Sequence, residues 1–132
     1  MDRIREKSEL NEAAAELLIR ESLHAPAVHC SYYSCFQLMK YTLKSALRIS
    51  YKRQDRESQN AQGGSHLYVR DHIVKKLVTR KEKNRFIDKF KDLKHRRKES
   101  DYRNIEIDRG KSETALRKAR EIKRYLIQKF QL

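Results

Sequence analysis

The stretch Pro26-Ala27-Val28-His29-Cys30-Ser31-Tyr32-Tyr33-Ser34-Cys35-Phe36-Gln37-Leu38-Met39-Lys40-Tyr41-Thr42-Leu43 decides the fold. Its apolar residues recur at helical spacing and lie nearly all round the helix, the pattern of a helix enclosed by others at the centre of a bundle. Pro26 suits the first turn, where a missing amide hydrogen costs nothing. Lys44 and Arg48 sit near the end, where cations complement the helix dipole. A helix from Pro26 to about Ile49 is predicted.

Outward from this stretch the period stays helical. Leu10, Ala13, Ala14 and Leu17 predict an apolar stripe on a first helix over roughly residues 3–23, broken at His24-Ala25-Pro26. Residues 50–65 turn polar and end in Gln62-Gly63-Gly64-Ser65, which predicts a long flexible connection. Ser65 is a candidate cap for a third helix with the stripe Val69, Ile73, Val74, Leu77 and Val78. Asn84 is a candidate cap for a fourth, carrying Phe86, Ile87, Phe90 and Leu93 and fading after Arg97. Residues 101–108 read as extended loop, because Ile105 and Ile107 alternate without a partner strand. Gly110 and Ser112 open a last helix striped by Leu116, Ala119, Ile122, Leu126 and Phe130. The expected fold is all-α, a five-helix bundle with an up-down four-helix core and one additional short helix.

The chain has 132 residues, the length of a single domain with one core, here taken as 1–132. Three glycines and one proline exclude collagen-like and mucin-like chains. No apolar run is long enough to span a membrane, and the first residues lack the apolar core of a secretory signal, so the expected compartment is the cytoplasm. Cys30 and Cys35 diverge by about 140° on a helix and form no CxxC pair, so neither a disulfide nor zinc is expected. No metal or other cofactor is expected. No Gly-rich phosphate loop, GxSxG or HExxH occurs, and His24, His29, His66, His72 and His95 form no paired motif.

Charge is the strongest compositional signal. The net charge is +14, from 32 Lys and Arg against 18 Asp and Glu. Residues 1–66 carry only +2 of it and residues 67–132 carry +12, with 12 basic and 3 acidic residues between Lys75 and Lys98. So one-sided a distribution favours a polyanion such as RNA or DNA, or an acidic protein face. Lys89, Lys94, Arg96 and Lys98 are the candidate nucleic-acid-binding residues. Arg97 stands apart from them. Phe86, Phe90, Leu93 and Arg97 fall within about 60° of one another on a helix, so Arg97 continues an apolar stripe. A guanidinium there needs a carboxylate, a carbonyl, a phosphate or another chain, and Asp101 is the nearest local partner.

Three segments together carry a family resemblance. Ala27-Val28-His29-Cys30-Ser31-Tyr32-Tyr33-Ser34-Cys35-Phe36 sets small residues around a Tyr-Tyr pair followed by an aromatic. Gly64-Ser65-His66 opens a helix. Leu93-x-x-x-Arg97-x-x-x-Asp101-Tyr102 comes close to a Leu-x-x-x-Arg-x-x-Ala-Asp-Tyr pattern, with Ser100 in the place of Ala. In order and spacing, from about Ala13 to Ile127, the chain resembles the HEPN family of small helical-bundle domains. The resemblance implies a homodimer. It also implies either a metal-independent endoribonuclease acting as a toxin or in defence, or a module paired with a minimal nucleotidyltransferase. The family's nucleases use an Arg followed after four to six residues by His. This chain has no such pair, and the slot after Arg97 holds Tyr102, whose ordinary pKa near ~10 makes it a poor proton carrier at neutral pH. The expected function is therefore a HEPN-like dimeric module of a toxin-antitoxin or defence system that binds RNA or a partner protein. The alternatives are an active endoribonuclease with a variant Arg97/Asp101/Tyr102 centre, and a purely structural assembly domain.

Overall fold

The computed structural model describes residues 2–132. They form α1 (Arg3–Arg20), α2 (His24–Ser45), α3 (Tyr51–Gln59), α4 (Gly64–Val74), α5 (Arg80–Tyr102) and α6 (Arg109–Phe130), and the described residues contain no strand. The all-α expectation therefore holds, with six helices instead of five.

Side chains set most of the helix starts. The Asp2 carboxylate accepts from the amides of Ile4 and Arg5 at 2.9 and 3.0 Å. Ser50, Thr79 and Asp108 do the same for α3, α5 and α6. Asp2 also accepts from Lys44 Nζ and Tyr51 Oη, so one carboxylate joins the start of α1, the end of α2 and the start of α3. Burial opposes its ionisation, but the hydrogen bonds from Lys44, the Arg5 amide and Tyr51 outweigh it and hold the carboxyl at about 2.

The long helices alternate in direction. Asp2 meets Lys44 at one end of the α1/α2 pair and Ile19 packs with Ala27 at the other. Lys129 pairs with Glu82, and Lys118 with Asp92, along α6 and α5. Ser100 Oγ donates to the Ala25 carbonyl at 2.8 Å, bringing the end of α5 to the start of α2. The expected up-down core is thus α1, α2, α5 and α6, with α3 and α4 inserted between α2 and α5. As its sequence implied, α2 is central and packs against α1, α4, α5 and α6. Tyr32, Cys35, Met39 and Leu43 of α2 meet Ile73 of α4, Phe90 and Leu93 of α5, and Ile122 and Leu126 of α6 in the main core.

Four expectations are corrected. The polar connection at 50–65 contains α3, which has no apolar stripe because Tyr51 is its sole apolar residue. α4 begins at Gly64, so Ser65 lies inside it. α5 begins at Arg80 under Thr79, not Asn84, and continues past Arg97 to Tyr102. The stripe read on α1 faces outward: Leu10 and Leu17 are 61% and 51% exposed, while Ser8, Ala15 and Ile19 are buried. Polar bonds select the inner face of α1. Ser8 Oγ donates to the Ser34 carbonyl, and Asn11 Nδ2 to Gln37 Oε1. Behind them Glu12 accepts from the buried Lys123 ammonium of α6 at 2.6 Å. No helix among the described residues is long and apolar enough to cross a membrane.

Candidate nucleic-acid interface around Arg97

Three helices converge on Arg97. On α5, Lys94, Arg97, Lys98, Asp101 and Tyr102 share one side by their spacing of three and four. On α2, His29, Tyr32, Tyr33 and Phe36 do the same. α4 supplies His66 from its first turn. The glycine turn before α4 fixes that histidine. Gly63 has φ +86°, and a Cβ there would lie 2.2 Å from Leu67 Cδ1, so only glycine fits this start.

As the helical wheel predicted, Arg97 is buried, with its side chain 8% exposed. Its guanidinium carbon lies 5.0, 5.7 and 5.9 Å from the ring centres of Tyr32, Tyr33 and Tyr102. Three aromatic faces replace part of the water the cation has lost. Nη1 is 3.6 Å from Asp101 Oδ2, an ion pair too long for a hydrogen bond. Nε is buried with no partner. Asp101 is the better bonded to His29, whose Nδ1 donates to Oδ2 at 2.9 Å and lies 3.2 Å from Oδ1. A carboxylate only accepts, so the proton of this bond sits on Nδ1. In the neutral ring that leaves Nε2 as an acceptor, on a side chain that is 48% exposed.

His66 is the second imidazole. It lies parallel to Phe36 at 4.3 Å and to Tyr32 at 5.5 Å, and its Nδ1 is hydrogen-bonded to the Tyr32 hydroxyl. Burial first, and then the cations Lys94, Arg97, Lys98 and Lys40, push it down to about 4, so the ring is neutral at pH 7. Burial likewise raises the Tyr32 phenol well above the ordinary tyrosine range. The Lys94 ammonium is lowered by burial, then by Lys98, Arg97 and Arg70. Lys40, Lys94 and Lys98 pair with no carboxylate among the described residues, leaving Asp101 as the one acidic group in contact with Arg97.

The four basic residues read as a nucleic-acid surface therefore divide. Lys94 and Lys98 belong to the Arg97 cluster. Arg96 points elsewhere and holds Asp92 at 3.0 Å, and Lys89 faces Glu121 at 3.8 Å. Asp101 and Tyr102 both reach Arg97, and Tyr102 is 77% exposed. Lys40, His29 and His66 join the site without having been singled out by spacing, because they come from helices that meet α5 only in the folded chain. The described residues include no group of three or more His, Cys, Asp or Glu placed to hold a metal ion. The arrangement suits an anion: a mostly uncompensated cationic surface, an exposed aromatic face and a hydrogen-bonded imidazole. No family model matches the sequence, and neither a curated protein nor a solved structure is similar enough to match it.

Proposed function

We propose that the chain is a HEPN-like module that binds RNA through Lys40, Lys94, Arg97 and Lys98, with Tyr102 as a platform for a base. One observation carries this reading. Lys94, Arg97, Lys98 and Lys40 are close enough to lower one another's or His66's proton affinity, and Asp101 alone offsets them. Gathering like charges costs free energy that a bound phosphate chain recovers by releasing its counterions. The exposed Tyr102 ring beside Arg97 adds the stacking surface that single-stranded RNA uses. A homodimer, as the resemblance implies, would join two such faces into one cleft. Light scattering at micromolar concentration tests this, with a dimer mass expected and a monomer mass contradicting it.

The experiment for RNA is fluorescence anisotropy with a labelled single-stranded oligoribonucleotide. Lys94→Ala with Lys98→Ala should weaken binding by at least tenfold near 0.1 M salt, where each phosphate contact contributes through counterion release. Absent binding, or affinity insensitive to salt, overturns the RNA reading and leaves an acidic protein partner, such as a nucleotidyltransferase, or a purely structural role.

The endoribonuclease reading has an observation of its own in the His29–Asp101 pair beside Arg97. No His follows Arg97 at the family's spacing, but α2 brings His29 to Asp101, which lies 3.6 Å from the Arg97 guanidinium. In such a centre His29 Nε2 would take the proton of the 2′-hydroxyl as it attacks the phosphate, and Arg97 would stabilise the charge that develops. Incubation with RNA in EDTA separates the two readings. Cleavage lost in both His29→Ala and Arg97→Ala supports an enzyme, and intact RNA that remains bound supports a binding module.

A further inference from the structure

The one buried residue of α3 is a glutamine. Gln54 is 2% exposed, at a place where an apolar side chain would pack without a desolvation cost. Its Nε2 donates to the carbonyls of Lys40 and Ile49 at 3.1 and 2.9 Å. Carbonyls only accept, so these two bonds fix which end of the amide is nitrogen, and they use both of its N–H groups. Oε1 is buried and has no hydrogen-bond partner. A buried acceptor left unmet lowers stability, so a ligand that brought it an N–H would gain what the free protein lacks.

Gln54 lines a cavity of about 120 Å3 between α2, α3 and α4. Phe36 and Val69, both buried, give the cavity apolar walls. Lys40 and the exposed Asp55 and Ser65 make its polar side. Two of these residues also belong to the face around Arg97. The Phe36 ring stacks on His66 at 4.3 Å, and Lys40 is close enough to His66 to lower its proton affinity. The cavity therefore lies directly beside the cations of that face.

We propose that this cavity takes one pyrimidine base of a bound RNA strand, with an N–H of the base donating to Gln54 Oε1. The inference rests on the reading of the Arg97 face as an RNA surface and adds a base preference to it. Both pyrimidines carry the needed donor, N3–H in uracil and the exocyclic amine in cytosine. Each has an acceptor beside it, to which Lys40 can donate. Phe36 and Val69 cover the ring, as aromatic and apolar side chains do for bases splayed out of a single strand. Size sets the class of base. A cavity of roughly 150 Å3 admits a benzene ring, so 120 Å3 is the scale of one six-membered ring and excludes the fused rings of a purine. The Asp55 carboxylate repels phosphate, which keeps the backbone outside on Lys40, Lys94 and Lys98 and leaves the cavity to the base.

The test is fluorescence anisotropy of the intact chain with oligouridylate and oligoadenylate of equal length. The two strands carry the same phosphates, so their salt slopes should coincide, while oligouridylate should bind about tenfold more tightly. Ser65→Tyr fills the cavity from an exposed position and changes no charge. It should bring the two affinities to within about twofold of each other, with both salt slopes kept. A preference that came from the stiffer stacking of oligoadenylate would survive in this variant. Gln54→Met keeps the length and burial of the side chain and should reduce the preference a few-fold. Circular dichroism checks its folding, and Ser65→Tyr alone decides should it not fold. Equal affinities in the wild type, or a uridylate preference that Ser65→Tyr leaves intact, overturn the base pocket and leave the RNA face standing. Absent binding of both strands overturns the two together.

Discussion

Arg97 shows why a buried charge is judged by its neighbours. It has lost nearly all its water, and Tyr32, Tyr33, Tyr102 and Asp101 replace it. Removing the carboxylate should therefore cost more than removing the cation. Asp101→Asn leaves a buried guanidinium with no acidic partner and should lower stability by about 1–2 kcal/mol. Arg97→Met keeps the packing, leaves no stranded charge, and should cost less. Urea denaturation of both variants checks the order, and a larger loss for Arg97→Met would contradict this account of the site. His66 gives a pH dependence with a definite sign. Its folded value of about 4 lies below the unfolded value near ~6.5, so the unfolded chain takes up the proton first. The stability this neutral ring contributes is complete above about pH 6.5 and is lost as pH falls to about 4, by about 2 kcal/mol after allowing for solvent screening of a partly exposed ring. Denaturation midpoints across that range should slope for the wild type and flatten for His66→Gln. An equal slope in both assigns the effect to other groups.

Among the elements, α1 is held to the bundle by charge as much as by apolar burial. Lys123 of α6 is 6% exposed and donates to Glu12 at 2.6 Å and to the Ser8 carbonyl at 3.4 Å, and Arg120 bonds Glu12 and Glu16. Glu12→Ala should cost about 3 kcal/mol, because it strands the Lys123 ammonium. Lys123→Met should cost under about 1 kcal/mol, since it strands nothing buried to the same depth. Thermal and urea unfolding of the two variants measures the asymmetry, and equal losses would contradict it. This network also explains which elements could be read from sequence. α2, α5 and α6 have unbroken apolar stripes, and their existence follows from periodicity alone. α1 misled because its buried face is Ser8, Ala15 and Ile19, the first two small enough to let α2 approach, while Leu10 and Leu17 face solvent. α3 left no hydrophobic trace. It exists because Ser50 caps it, Arg53 pairs with Glu57, and the buried Gln54 amide donates to the carbonyls of Lys40 and Ile49. Of the candidate site, the α5 residues were legible from spacing of three and four. His29 and His66 were not, since each stands alone in sequence and gains its meaning from a helix 72 and 34 residues distant, through Asp101 and Tyr32.

Across the whole molecule, the +14 charge is organised by pairing. Lys118 with Asp92, Lys89 with Glu121 and Lys129 with Glu82 join α5 to α6, while Arg96 and Arg117 pair with Asp92 and Glu121 within their own helices. Other cations of the basic second half, such as Lys75, Lys76, Lys91 and Arg124, make no ion pair among the described residues, but Lys94 and Lys98 are set apart by lying beside the buried Arg97. The central claim is that the face around Arg97 is the RNA-binding face. Its most direct measurement is the salt dependence of RNA affinity for two double variants of equal charge change, Lys94→Ala/Lys98→Ala and Lys89→Ala/Arg96→Ala. The first should lose affinity at least tenfold and flatten the log–log salt slope by about 1.4, the value for two lost phosphate contacts on a single strand. The second should stay near the wild type in both. Equal losses in the two variants, or the larger loss in Lys89→Ala/Arg96→Ala, would show that total charge rather than the Arg97 face governs binding.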